Sequence, residues 1–154
     1  MNLVWSCSPF DALTPLQLYQ ALRLRSEVFV LEQECVFVDP DGFDMQAWHL
    51  MGYGSGGELQ AYARLLPAGV KAAEPVIGRV ITAATSRGTG LGHELMRRSL
   101  HECKRLWPGQ DLSLSAQARL QAFYANHGFA PVGDEYIEDG IPHIHMRRSA
   151  TVQS

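Results

Sequence analysis

Residues 75–92 read PVIGRVITAATSRGTGLG. A short apolar strand leads through a polar bend into three alternate glycines, Gly88, Gly90 and Gly92, and a helical pattern starts immediately afterwards. At a glycine-rich helix start the backbone N–H groups are unpaired and sit at the positive end of the helix dipole. Such a loop is an anion site. The expectation is that it holds the pyrophosphate of a nucleotide-like cofactor.

Working downstream, the helix spans about 90–107. Leu91, Leu95, Ser99, Cys103 and Leu106, with Met96 and Trp107 beside them, form its inner stripe. Glu94 and Arg98 make an i,i+4 pair, and Pro108-Gly109 ends the helix. Residues 111–116 alternate as a strand. A short helix over 118–126 stops at His127-Gly128, and strands near 129–137 and 143–148 follow, joined by a turn at Asp139-Gly140.

Upstream, 3–7 reads as a strand. Thr14-Pro15-Leu16-Gln17 is a helix start with a capping box and proline at the first helical position. Leu18, Tyr19, Leu22 and Ser26 share a face of this helix, which runs to about residue 26. Arg23 and Arg25 in its last turns suit the dipole, and helix solubility is the plain reading of both. Residues 27–33 either continue the helix or form a short second one. In the loop 34–47, Asp39, Asp41 and Asp44 near Gly42 suggest calcium, but the acid at the twelfth position is absent, which favours a turn or substrate loop. Strands 48–53 and 58–66 flank the hairpin signal Gly54–Gly57. In the second, Leu59, Ala61, Ala63 and Leu65 alternate with Gln60, Tyr62 and Arg64.

At 154 residues the chain is long enough for one domain, taken as 1–148 with a polar tail at 149–154. A net charge of −3 argues against a general nucleic-acid surface. Cys7, Cys35 and Cys103 are odd in number and far apart, which argues against a disulfide framework or zinc knuckle. The N-terminus lacks a secretory pattern, and no apolar run approaches a membrane span. The expectation is a soluble, cytoplasmic protein with no nucleic-acid or membrane partner.

The glycine loop excludes two nucleotide readings. A P-loop needs Lys-Ser/Thr after its last glycine, whereas Gly92 is followed by His93-Glu94. A dinucleotide fingerprint counted from Gly88 or Gly90 ends on His93 or Leu95, and the next strand ends at Ser115-Ala116-Gln117 without the ribose-binding acid. What remains is Arg87-x-x-Gly90-x-Gly92 directly after a strand, with Tyr124 four residues before Gly128-Phe129. This resembles the acyl-CoA loop, R/Q-x-x-G-x-G/A, of the GNAT superfamily of N-acetyltransferases. The segments 25–33, the Asp-rich loop, His49 and the stretch Glu138 to Met146 (EDGIPHIHM) look like the ElaA-like branch. The resemblance covers about residues 15–147.

The resemblance implies an α/β (α+β) fold: a mixed, mostly antiparallel sheet of roughly six or seven strands with about four flanking helices. It also implies a splay between strands 76–82 and 111–116. It implies acetyl-CoA as co-substrate, no metal, a small-molecule or peptide primary amine as acceptor, and a monomer or homodimer. By the same resemblance the backbone N–H groups of Arg87, Gly88, Thr89, Gly90, Leu91 and Gly92 bind the pyrophosphate, and glycine suits its positions there because a Cβ would hold phosphate off the backbone. The edge at Val80, Ile81 and Thr82 pairs with pantetheine, and an N–H at Val80 or Ile81 polarises the thioester. Gln117 is a further cofactor contact. Tyr124 is the general acid to sulfur or, alternatively, an aromatic packed on the face of Leu120. Many relatives carry a glutamate in the strand before the loop, but 76–82 has no acid. Glu32 or His49 therefore stands as candidate base. Phe29, Glu32, Gln33, His49 and His143 are the expected acceptor pocket, although His49 and His143 also fit purely structural roles. A zinc site at His143 and His145 lacks a third ligand nearby. Without a base in the strand, a non-catalytic acyl-CoA-binding module is the alternative. Acyl-homoserine-lactone synthase chemistry, on the same core, calls for a longer chain.

Overall fold

The computed structural model describes residues 2–152, so the last two residues of the expected tail lie outside it. The strands are β1 (Val4–Pro9), β2 (Trp48–Tyr53), β3 (Leu59–Leu66), β4 (Val76–Thr82), β5 (Leu112–Gln117), β6 (Ala130–Pro131), β7 (Tyr136–Glu138) and β8 (Ile141–Arg148). They form an eight-stranded sheet in the order β1-β2-β3-β4-β5-β8-β6, with β7 also on β8. The expected final strand 129–137 is two short strands, which raises the count above six or seven. The α-helices are α1 (Pro15–Arg25), α2 (Leu91–Leu106) and α3 (Gln121–Ala125).

The local signals act as chemistry requires. The Gln17 N–H donates to Thr14 Oγ1 (3.1 Å) and the Thr14 N–H to Gln17 Oε1 (2.9 Å), closing the capping box. Asp139 and Gly140 both have positive φ, 52° and 76°, which a two-residue hairpin turn between twisted strands demands. After α1 the chain continues as a π-helical stretch, Ser26–Glu32.

Two apolar layers hold the sheet. On one face α2 packs Leu95, Met96 and Cys103 against Leu50, Ala63, Leu114 and Met146. On the other, Ala21, Leu24 and Val28 cover Met51, Tyr62 and Ile81. β3 is therefore buried on both faces. The alternation Gln60, Tyr62, Arg64 is not a solvated face; all three lie beneath cover, and Tyr62 is wholly inaccessible.

The sheet is continuous and antiparallel from β1 to β4, and again from β5 to β8. Between β4 and β5 it is parallel and holds by one register pair, Val76 with Ser113, where the Ser113 N–H donates to the Pro75 carbonyl (3.0 Å). Beyond that pair the strands part. β4 also slips by one residue against β3: Tyr62 pairs with Ile81 but Arg64 with Gly78. The extra residue belongs to a bulge in which Arg79 has φ 51°, a left-handed value a non-glycine residue rarely adopts.

Candidate active site

The parting of β4 and β5 opens a cleft of about 580 Å³. Val80, Ile81 and Thr82 form one wall, and Leu114, Ser115 and Gln117 the other. The π-helical stretch contributes Phe29 and Glu32, and β7–β8 contribute Tyr136, Glu138, His143 and His145.

At the open end of β4 the chain turns through Ala84–Ser86 into the glycines. Gly88 and Gly90 have φ of 79° and 81°, and Gly90 is the N-cap of α2. A side chain at either position would be strained, whatever the space around it. The first intrahelical bond runs from the Glu94 N–H to the Gly90 carbonyl (3.2 Å), leaving the Leu91, Gly92 and His93 N–H groups without helical partners. Thr89 Oγ1 donates to the Ser86 carbonyl (2.7 Å), tying the loop back on itself. Gly92 faces Phe123, whose ring would be in ordinary contact with a Cβ there. These donors and the dipole of a sixteen-residue helix make an anion cradle beside the cleft.

Arg87 does not point freely into solvent. Its guanidinium donates to Glu32 Oε2 (2.6 Å) and to the Thr82 carbonyl (3.3 Å), linking the π-helical stretch to the end of β4. Both side chains of this pair are about two-fifths exposed. Gln33 and Gln117 meet at 3.1 Å, joining the same stretch to the end of β5. Tyr124, on α3, reaches the cleft while 7% exposed, and its ring packs edge-on against Phe123 and Phe129. Burial pushes its phenol up to about 12 against a small opposing pull from Arg119, so it stays protonated near neutrality.

His49 lies elsewhere. It is buried on β2, outside the cleft lining, with Nδ1 2.6 Å from the Tyr62 hydroxyl and Nε2 2.9 Å from the Asp44 carbonyl. A carbonyl can only accept, so Nε2 carries the proton and Nδ1 accepts from Tyr62. Burial lowers the imidazole's affinity for a second proton. The expected set thus divides. Phe29, Glu32, Gln33, Val80, Ile81, Thr82, Arg87, Gln117, Tyr124 and His143 share the cleft, and Gly88 to Gly92 adjoin it, while His49 does not join them.

The aspartates of the 39–44 loop are also spoken for. Arg25, read from the sequence as a surface charge, is fully buried and bridges Asp39 (2.7 Å) and Asp44 (2.7 Å). Arg64 bonds Asp41 with both terminal nitrogens (2.7 and 2.8 Å) and reaches Asp44 at 3.1 Å. Arg79, in the bulge, bonds Asp39 (2.9 Å) and sits over the rings of Phe29 and Phe37. The acidic loop is a neutralised strut, its three carboxylates matched by arginines. Among the described residues no three of His, Cys, Asp and Glu converge as a metal cage requires.

Arg79, Tyr136 and Glu138 were not singled out as site residues by the sequence. Glu138 was within reach, because it opens the EDGIPHIHM stretch. Arg79 carries no local signal of its bulge.

Among the described residues no helix is long and apolar enough to cross a membrane. Residues 43–150 match the acetyltransferase (GNAT) domain model. The chain is 44% identical over 146 residues to Protein ElaA of Escherichia coli K12, covering 94% of this chain and 95% of that protein. It superposes on the crystal structure of E. coli ElaA with a TM-score of 0.90 at 42% identity, covering 96% of this chain and all of the other. An acyl-CoA N-acyltransferase from Pseudomonas aeruginosa gives a TM-score of 0.92 at 47% identity, again over 96% of this chain and all of the other. The open sheet, the anion cradle and these similarities agree that the chain belongs to the GNAT acetyltransferase family, among its ElaA-like members.

Proposed function

We propose that residues 1–148 act as one domain that transfers an acetyl group from acetyl-CoA to a primary amine by direct attack in a ternary complex. The observation that carries this reading is the single β4–β5 pair, which leaves an unpaired strand edge facing a cleft and ending at an anion cradle. In this reading the N–H groups of Gly88 to Gly92 hold the pyrophosphate, and Arg87 adds a charge-assisted contact when it swings from Glu32. The edge at Val80, Ile81 and Thr82 pairs with the pantetheine amides as an added strand. An N–H at Val80 or Ile81 polarises the thioester carbonyl, an interaction that strengthens as charge builds on oxygen. Tyr124 gives its proton to the departing sulfur, and Gln117 contacts the cofactor arm. The acceptor, a small molecule or peptide, enters past Phe29, Gln33 and His143. A non-catalytic acyl-CoA module would need the same cradle but no buried proton donor at the cleft, and Tyr124 favours the enzyme.

The test is thermal unfolding with acetyl-CoA. At about 100 times its dissociation constant, acetyl-CoA should add roughly 2.7 kcal/mol. A shift with NAD or ATP but none with acetyl-CoA would sink the reading. Release of free thiol in the presence of amines then separates an enzyme from a binding module.

A further inference from the structure

We infer that His143 is the general base of the transfer, with Glu138 positioned to stabilise its protonated form; this rests on the acetyl-transfer reading above. Three observations carry it. First, His143 Nδ1 is 2.7 Å from the Ile141 carbonyl. A carbonyl only accepts, so Nδ1 holds the proton, and in the neutral ring Nε2 keeps its lone pair. Second, Nε2 is 3.5 Å from Glu138 Oε2, so an imidazolium formed there meets a carboxylate at once. Third, the ring is fixed. It is 9% exposed and stacked on Tyr136 at 6.0 Å and 24°, and the Tyr136 hydroxyl hydrogen-bonds Ser115. A ring so held presents one basic nitrogen in the cleft that β4 and Tyr124 also line.

Of the competing bases, His49 has both nitrogens committed outside the cleft. The Glu32 carboxylate rests against Arg87 at 2.6 Å and is freed when Arg87 turns to the cofactor, so turnover retained in Glu32→Gln is what excludes it. β4 offers no acid. Around His143 the ionisable groups are Glu138 on β7, Asp139 in the turn and His145 on β8, while Gln117 of β5 and Tyr136 of β7 stand opposite in register. Across the cleft the charged lining is Arg64, Lys71, Arg79, Arg119 and the Glu32–Arg87 pair, and Lys71 is within electrostatic reach of Glu138.

The protons balance. His143 Nε2 takes one proton from the ammonium, and the freed nitrogen lone pair forms the N–C bond to the thioester carbon. The C–S bond breaks with its electrons on sulfur, which takes the Tyr124 proton. The new amide nitrogen returns its surplus proton to the Tyr124 phenolate through water, and His143 releases its proton to solvent. The products are an amide, a free thiol and one proton.

The experiment compares the wild type with His143→Gln and Glu138→Gln, following thiol release from acetyl-CoA across pH. Butylamine, spermidine and a lysine-containing peptide serve as amine probes, and hydroxylamine as a nucleophile already neutral at pH 7. His143→Gln should lower turnover of the alkylamines at pH 7 by about 10²-fold or more. The deficit should close towards about pH 10.4, where such amines lose their proton unaided, and hydroxylamine should be largely spared. Glu138→Gln should move the acid limb of the pH profile to lower pH, because the imidazolium loses its carboxylate, without erasing turnover; a limb that stays or moves to higher pH removes Glu138 from the assignment. Parallel pH profiles for the wild type and His143→Gln would overturn the base. So would an imidazole nitrogen spectrum showing the Nε2–H tautomer, a readout that needs no acceptor. A His143→Gln protein that acetyl-CoA fails to stabilise has lost its fold or cofactor site, and the tautomer then decides alone. A wild type that acetyl-CoA stabilises but that acetylates no probe at any pH refutes the base while leaving the cofactor reading standing. A wild type that acetyl-CoA does not stabilise fails the cofactor reading first.

Discussion

Two groups of charged residues lie within the same half of the molecule and behave in opposite ways. Behind β3, Arg25, Arg64 and Arg79 are matched by Asp39, Asp41 and Asp44 with bonds to side chains on both sides. In the cleft, Glu32 and Arg87 are partly exposed and form one ion pair with each other, while the half-exposed Glu138 stands 3.5 Å from the nearly buried, neutral imidazole of His143. In the first set every member meets two ion-pair partners and most are buried, so it fixes geometry. The second retains open valence towards a space that a ligand can fill, so it can exchange partners. Density of charge in the sequence marks neither; the difference lies in how many partners each group has already met.

If the network behind β3 is a strut, breaking it should cost the most. Arg25→Ala removes a buried cation from between two carboxylates, and loss of one partner from a buried pair is worth about 3–5 kcal/mol. Urea unfolding should show a lower midpoint of this order. A loss under 1 kcal/mol would mean that water replaces Arg25 at no cost and that the network holds nothing.

Acid attacks the same strut. Burial alone would raise the pKa of Asp44, but hydrogen bonds from Arg25 and Arg64 outweigh it and hold the carboxyl below its ordinary value. Asp41 is held low likewise, by Arg64 against its burial. Protons therefore bind these groups more readily in the unfolded chain, and stability rises with pH wherever that holds. Their contribution is complete above the unfolded value of about 3.9 and is lost as pH falls towards the folded values. Asp44→Asn should flatten the fall in urea midpoint between pH 5 and pH 3, within the same series of measurements.

The contrast also shows what could be read from residues alone. The glycine loop, the capping box, α2 and the Asp139-Gly140 turn depend on neighbours within a few positions, and each was legible. The splay of β4 from β5 came only through family resemblance, because nothing in either strand announces where its partner stops. Arg25 looked like a helix-end cation because its partners lie 14 and 19 residues away. The burial of Tyr62 and Arg64 was not legible, because a strand's period reports alternation, not whether α1 covers the second face. His49 is a histidine next to apolar residues in either role; only its two filled ring positions separate it from the cleft.

On the cleft side, Tyr124→Phe should leave the fold almost intact, since the ring keeps its packing and loses one oxygen. Turnover should fall by about 10²-fold if the hydroxyl protonates sulfur, with stabilisation by acetyl-CoA unchanged. Unchanged turnover would return Tyr124 to a packing role. The measurement is thiol release at saturating acetyl-CoA, paired with thermal unfolding.

The smallest effect belongs to Glu32→Gln. Its pair with Arg87 joins two half-exposed side chains, and such pairs contribute about 0–1 kcal/mol. Stability should therefore barely move. If the pair is only a latch that Arg87 leaves on meeting pyrophosphate, its loss frees the guanidinium before the cofactor arrives. Acetyl-CoA should then bind as well as to the wild type or a few-fold tighter, with turnover within a few-fold. Titration of acetyl-CoA by calorimetry, beside the thiol assay, separates the possibilities. A collapse of turnover with binding intact would transfer the role of base from His143 to Glu32, and the cleft would then use a half-exposed carboxylate rather than its most firmly held imidazole.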